Sequence, residues 1–223
     1  MLQAATVNFL KSLRKNNNKV WFEANRRKYE EARADFTQFI QRVIDLHGKN
    51  DASVNHLTAK ECLFRINRDV RFAKDKSPYK TNFGASINKS GRQSLSSAGY
   101  YFSLHPGESF AGGGIWMPPA PDLRKVRQEI DYNFDDFKKI IGSKKFKSIY
   151  GDLADDPEYK LVRLPKGYEP GNRAAEYLKL KSYIASMMIK DVDLTSKNLV
   201  KETVAAFSAL QPLIIFINQS IQD

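Results

Sequence analysis

Between Asn82 and Met117 the hydrophobic period switches from helical spacing to strict alternation, and no other feature constrains the fold as much. Phe83, Ala85 and Ile87 alternate with Asn82, Gly84, Ser86 and Asn88. Tyr100, Phe102 and Leu104 then alternate with Tyr101, Ser103 and His105, and Phe110 to Met117, carrying Gly112-Gly113-Gly114, is another strand candidate. A period of two sends successive side chains to opposite faces, so each stretch reads as a half-buried strand. Gly91 and Pro106-Gly107 separate them, as turn residues do. Strands joined this closely assemble most simply as an antiparallel meander.

Helical periodicity flanks this block. Phe9, Leu10 and Leu13 share one face of a short helix over Ala4–Leu13, and Asn16-Asn17-Asn18 reads as a turn. Phe22, Tyr29, Phe36, Ile40 and Val43 then make one stripe, which predicts a single long helix from about Val20 to His47. Beyond the meander, helices are expected over Asp122–Tyr132, from Asn133 to Ile141 and over Asn172–Leu180, with a last strand at Tyr183–Ile189. A long C-terminal helix begins near Ser196, and Pro212 should kink or interrupt it. Leu63–Ile66 reads as a weak strand, Asp152–Pro157 as an acidic turn, and Leu161–Tyr168 as extended chain or loop. The Gly112-Gly113-Gly114 run suits a strand bulge or close backbone packing better than a phosphate loop, since it lacks the lysine and hydroxyl residue. The expected class is α+β: an antiparallel β-sheet, a meander, packed against several helices, including a long N-terminal and a long C-terminal helix. The 223 residues suit a single domain spanning 1–223.

Composition excludes several classes. Hydrophobic residues at 42% and a charged fraction of 27% argue for a packed core and against disorder. No uninterrupted apolar run approaches the ~20 residues of a membrane span; the longest is Leu213–Ile217. Met1 to Ala5 lacks the basic and apolar regions of a secretory leader. No membrane association is therefore expected, and a soluble, cytoplasmic protein is the default. Cys62 is the only cysteine, so neither an internal disulfide nor a cysteine zinc cluster is available. His47, His56 and His105 show no metal-ligand spacing. No metal and no cofactor are expected, and oligomeric state is not legible.

Net charge is +11 with a pI near 9.6, which favours anionic partners. The excess is uneven. Between residues 65 and 80 stand Arg65, Arg68, Arg71, Lys74, Lys76 and Lys80 against Asp69 and Asp75 only. Ser77-Pro78 disfavours helix there, so this cassette should be loop. Arg26 and Arg33 also fall near the apolar stripe of the first long helix, at about 100° per residue. Each needs a carboxylate, a carbonyl or a bound anion as partner unless it reaches solvent. Asn25 flanks the same face.

Three stretches carry a resemblance. They are Asn17-Asn18-Lys19-Val20-Trp21-Phe22-Glu23-Ala24-Asn25-Arg26, then Arg68-Asp69-Val70-Arg71-Phe72-Ala73-Lys74-Asp75-Lys76-Ser77-Pro78-Tyr79-Lys80, then Gly112-Gly113-Gly114-Ile115-Trp116. Together they resemble an uncharacterised family of bacteria and fungi labelled domain of unknown function 2461, over nearly the whole chain. The resemblance implies one intact domain with a site at the middle stretch, and it implies no activity.

The chemistry of the cassette follows from its residue types. Arginine offers a planar fork of donors to a carboxylate or phosphate, and lysine a mobile point charge. Arg68, Arg71, Lys76 and Lys80 are candidate ligands of an oxyanion, Tyr79 adds a hydroxyl or a stacking face, Phe72 an anchor, and Asn25 and Arg26 support. The partner is then an anionic ligand, either nucleic acid or a phosphorylated small molecule. Asp69 and Asp75 have two readings that stay open. Either is a candidate general base, which would make the chain a hydrolase-type enzyme on a phosphorylated substrate or nucleic acid. Alternatively they are ion-pair partners, with Arg26 or Arg33 against Asp69 locking the loop to the long helix. A structural or protein-interaction domain is the third alternative. No Gly-X-Ser-X-Gly elbow is present, and no pattern marks Cys62 as a nucleophile.

Overall fold

The computed structural model describes residues 1–93 and 96–222. Its centre is a four-stranded sheet in the order β1-β2-β3-β4, with β1 at Phe83–Ile87, β2 at Gly99–Leu104, β3 at Ser109–Ile115 and β4 at Tyr183–Ile189. Every neighbouring pair is antiparallel. Ala85 lies opposite Phe102, Phe102 opposite Ala111, and Ala111 opposite Met187, so these four share one face. That face receives the helices. The meander and the α+β class therefore follow the alternation in the sequence, and the strand after the helical block returns to β3.

The helices are α1 (Ala4–Lys15), α2 (Lys19–Ala24), α3 (Arg26–His47), α4 (Ala59–Cys62), α5 (Ala120–Tyr132), α6 (Phe134–Ile141), α7 (Lys144–Tyr150), α8 (Ala175–Leu178) and α9 (Leu199–Gln222). α3 packs on β1 and on α9, α9 lies across β3, and α5, α6 and α7 gather around α9. Phe36, Phe39, Phe102, Tyr100 and Phe207 are fully buried at the centre of one contiguous apolar core.

The departures from expectation have local causes. The long helix from Val20 to His47 is two helices, because Asn25 leaves helical geometry (φ −114°, ψ 17°) and turns its amide onto the Trp21 carbonyl at 2.9 Å. The apolar stripe runs on through this joint, so periodicity alone does not register it. Leu63–Ile66 is not a strand. It touches the sheet edge through a bridge between Leu63 and Ala85 and the Phe64 amide donating to Gly84 at 3.0 Å. α8 is far shorter than Asn172–Leu180, since Asn172 folds its own side chain back to accept from the Ala174 amide at 2.7 Å. α7 was not anticipated; its cap is Ser143, whose hydroxyl accepts from the Phe146 amide. Pro212 does not interrupt α9, and its ring sits on the solvent side. α9 also has the length and composition of a membrane-crossing helix, although half of its most apolar window is buried inside the protein. Counting unbroken apolar runs overlooked it, because Thr203, Ser208, Gln211 and Asn218 interrupt the run without adding charge.

The glycine run occupies a regular ladder without a bulge, with Gly112, Gly113 and Gly114 opposite Ser186, Ala185 and Ile184. A Cβ on Gly113 would meet the Gly99 carbonyl and a Leu210 methyl, so α9 seats directly on the strand backbone there. Gly114 has φ +121°, which an L side chain rarely adopts, and a Cβ there would run into the Tyr183 carbonyl.

Candidate functional site

The cassette is a loop pinned at its base. The Arg68 amide donates to Pro78 at 2.9 Å and the Lys80 amide to Ile66 at 2.8 Å, with a bridge between Asn67 and Tyr79. Asn17 holds the base from outside: its amide nitrogen donates to the Tyr79 carbonyl at 2.9 Å, and its oxygen accepts from the Tyr79 amide at 3.1 Å. The Tyr79 ring stacks on Phe22 with centroids 3.9 Å apart and planes at 15°. The first two stretches of the resemblance are thus one physical joint, between the α1–α2 turn and the loop base.

Within the loop most charges are already matched. Arg68 pairs with Asp75, which also accepts from the Ser77 amide and hydroxyl. Arg71 grips Asp69 through two bonds, of 3.0 and 2.7 Å. Lys76 donates to the Val70 carbonyl at 3.0 Å. The hydrogen bonds from Arg71 hold the Asp69 carboxyl below the usual range, and those from Ser77, then Arg68, do the same for Asp75. Neither carboxylate is tuned to accept a proton near neutrality. Phe72 packs against no core residue: it is 95% exposed, with the Arg71 guanidinium 6.0 Å from its ring. Tyr79 is packed rather than presented, at 6% exposure, although it borders a hollow. Nor do the helix arginines lock the loop. Arg26 turns out to solvent and pairs with Glu23 at 2.8 and 2.6 Å, while Arg33 reaches the Phe64 carbonyl and the Tyr29 hydroxyl, both at 3.4 Å. Asn25 serves the α2–α3 joint, accepting from Lys28 at 3.1 Å.

Lys80 is different. It borders two hollows. The smaller, about 370 Å³, is lined by Arg14, Asn17, Arg68, Asp75, Tyr79 and Asn82 among others. The larger, about 910 Å³, runs between α3 and the chain at residues 63–65, where Arg33, Lys60, Arg65, Lys80 and Arg92 surround it and Glu30 is the single carboxylate. None of those five cations forms an ion pair among the described residues. Arg92 spends one nitrogen on the Lys60, Glu61 and Leu63 carbonyls and so stiffens the groove wall. Burial, then the neighbouring Arg65 charge, lowers the Lys80 pKa. Arg71, Phe72 and Lys76 line neither hollow.

The candidate residues of the cassette therefore do not all gather in one hollow: Lys80 borders both, and Arg68 and Tyr79 the smaller. Lys60 and Arg92 lie outside the charged cassette, and nothing in the sequence announced that they line one hollow with Arg65 and Lys80. The best available signal was Arg33, a cation on an apolar stripe. Elsewhere, burial pushes the Cys62 thiol up to about 11, which suits a core residue and not a nucleophile. His105 hydrogen-bonds Thr81 at 3.2 Å and faces Glu108 at 3.1 Å. Among the described residues no cluster of ligating side chains is arranged for a metal ion.

Against known proteins, no curated protein matches the chain, and no solved structure matches it. The joint at Asn17 and Tyr79, the loop and the strand carrying the glycine run all fall inside the span shared with one family, described as a conserved hypothetical protein (DUF2461). Its profile matches residues 5–216, and the chain belongs to that family.

Proposed function

We propose that the protein binds an anionic ligand bearing phosphate or carboxylate groups in the larger groove, with Arg65 and Lys80 as its principal contacts. One observation carries this reading: five cations and a single carboxylate line an open groove of about 910 Å³, and none of the cations is neutralised by an ion pair among the described residues. Like charges held side by side repel, and Arg65 and Lys80 are close enough that the first depresses the second. A bound anion relieves that repulsion and replaces water around these donors. A hollow of this size suits a ligand larger than a simple ion. The loop between Arg68 and Pro78 has a supporting role in this reading, holding the groove wall through its pinned base.

Titration with inorganic pyrophosphate at low ionic strength, followed by amide shifts in NMR, tests the reading. Shifts are expected at Arg33, Phe64, Arg65 and Lys80. Lys80→Ala should weaken binding about ten-fold, the loss of one charge-assisted contact, whereas Arg71→Ala should leave affinity unchanged. No shift in the groove, or an Arg71→Ala effect as large as that of Lys80→Ala, overturns it.

A further inference from the structure

The larger groove continues onto the sheet. Phe64, part of its wall, has its ring 5.3 Å beneath the Lys80 ammonium and 6.2 Å from the Tyr101 ring. Tyr101 in turn stacks with Phe110, centroids 5.7 Å apart and planes at 26°. Tyr101 and Phe110 stand on the sheet face opposite the one that receives α3 and α9. Their neighbours on that face include the small residues Gly84, Ser86, Ser103, Gly112 and Ser186, and the exposed Met188 lies opposite Phe110 at the outer end of the row. A Cβ at Gly84 would strike the Tyr101 hydroxyl, so the missing side chain is what lets this ring lie across the sheet. Phe64, Tyr101 and Phe110 each keep part of their surface in solvent.

We propose that this aromatic row is a stacking platform for the bases of a single-stranded nucleic acid whose phosphates lie in the cation groove. The inference rests on the anion-binding reading of that groove and adds the class of ligand. Aromatic rings leading away from a cationic channel are the two elements that single-strand binding needs: charge to follow the backbone and faces to receive unstacked bases. A duplex keeps its bases stacked within itself and cannot use the row. A small phosphorylated ligand would fill the groove and leave the rings idle. The net charge of +11 supplies long-range attraction of the same sign.

The test compares fluorescein-labelled oligothymidylate of about twelve nucleotides with an abasic strand of equal charge and with the matching duplex, read by anisotropy at low salt. Oligothymidylate should bind at least about ten-fold more tightly than either, the worth of one or two stacked bases. Phe110→Ala should remove about ten-fold of that affinity and Phe110→Tyr should restore it, while pyrophosphate binding in the groove stays unchanged in both. Thermal melting shows that each variant is folded. Equal affinity for the abasic strand, or strand affinity indifferent to Phe110→Ala, overturns the platform. If pyrophosphate still binds in that case, the groove reading stands without it, and if pyrophosphate also fails to bind, both fall.

Discussion

Tyr79 and Lys80 are adjacent in sequence and have opposite fates. The tyrosine ring is pressed onto Phe22 and its backbone is clamped by Asn17, whereas the lysine amine reaches out between two hollows. Tyr79→Ala should therefore cost about 3 kcal/mol, the range for deleting a buried aromatic ring, with Tyr79→Phe near wild type, both measured by urea unfolding. His47 is a second residue whose surroundings decide its behaviour. It is buried edge-on against Tyr100 and Phe207, neither ring nitrogen has a hydrogen-bond partner, and Asp51 stands 3.9 Å away, bonded to Tyr100. Burial lowers its pKa below the ordinary value, outweighing the pull of Asp51. The unfolded chain then takes up the proton more readily than the folded one. This contribution to stability is complete above about pH 6.5 and is lost as pH falls below it. Melting temperature should drop on acidification through that window, and His47→Leu should flatten the dependence.

At the scale of elements, the contact of α9 with β3 is set by what is missing. Leu210 rests where Gly113 has no Cβ, and the neighbouring Gly114 holds a left-handed φ beside the Tyr183 carbonyl. Gly114→Ala should cost about 2 kcal/mol or more, from overpacking and backbone strain together, as read by chemical denaturation. Pro212 offers the reverse case. It sits on the exposed side of a continuous helix and leaves the Ser208 carbonyl without its usual donor. Pro212→Ala should raise stability by about 1–3 kcal/mol. These elements also show what a sequence can disclose. Phe83, Ala85 and Ile87 revealed their strand because one sheet face is buried and the alternation records it. The break at Asn25 left no trace, since Phe22 and Tyr29 keep helical spacing across it. The groove was hidden for another reason: Arg33 and Arg92 join Lys60, Arg65 and Lys80 only through the fold, while Arg71 and Lys76, conspicuous in sequence, are consumed by local bonds within their own loop.

At the scale of the molecule, one apolar core links α1, α3, α9 and the sheet, so heating should give a single cooperative transition in calorimetry. Binding of a polyanion should weaken steeply with salt, since each neutralised phosphate releases counterions. With about four cations engaged, log affinity against log salt should have a slope near about −3. The position of Lys80 on the ridge between two hollows has a further consequence. One ammonium cannot solvate two guests at once. Whichever chamber captures it leaves the other poorer by a donor and a charge, so occupants of the two should be mutual antagonists. Thermodynamic reciprocity makes the penalty the same in both directions.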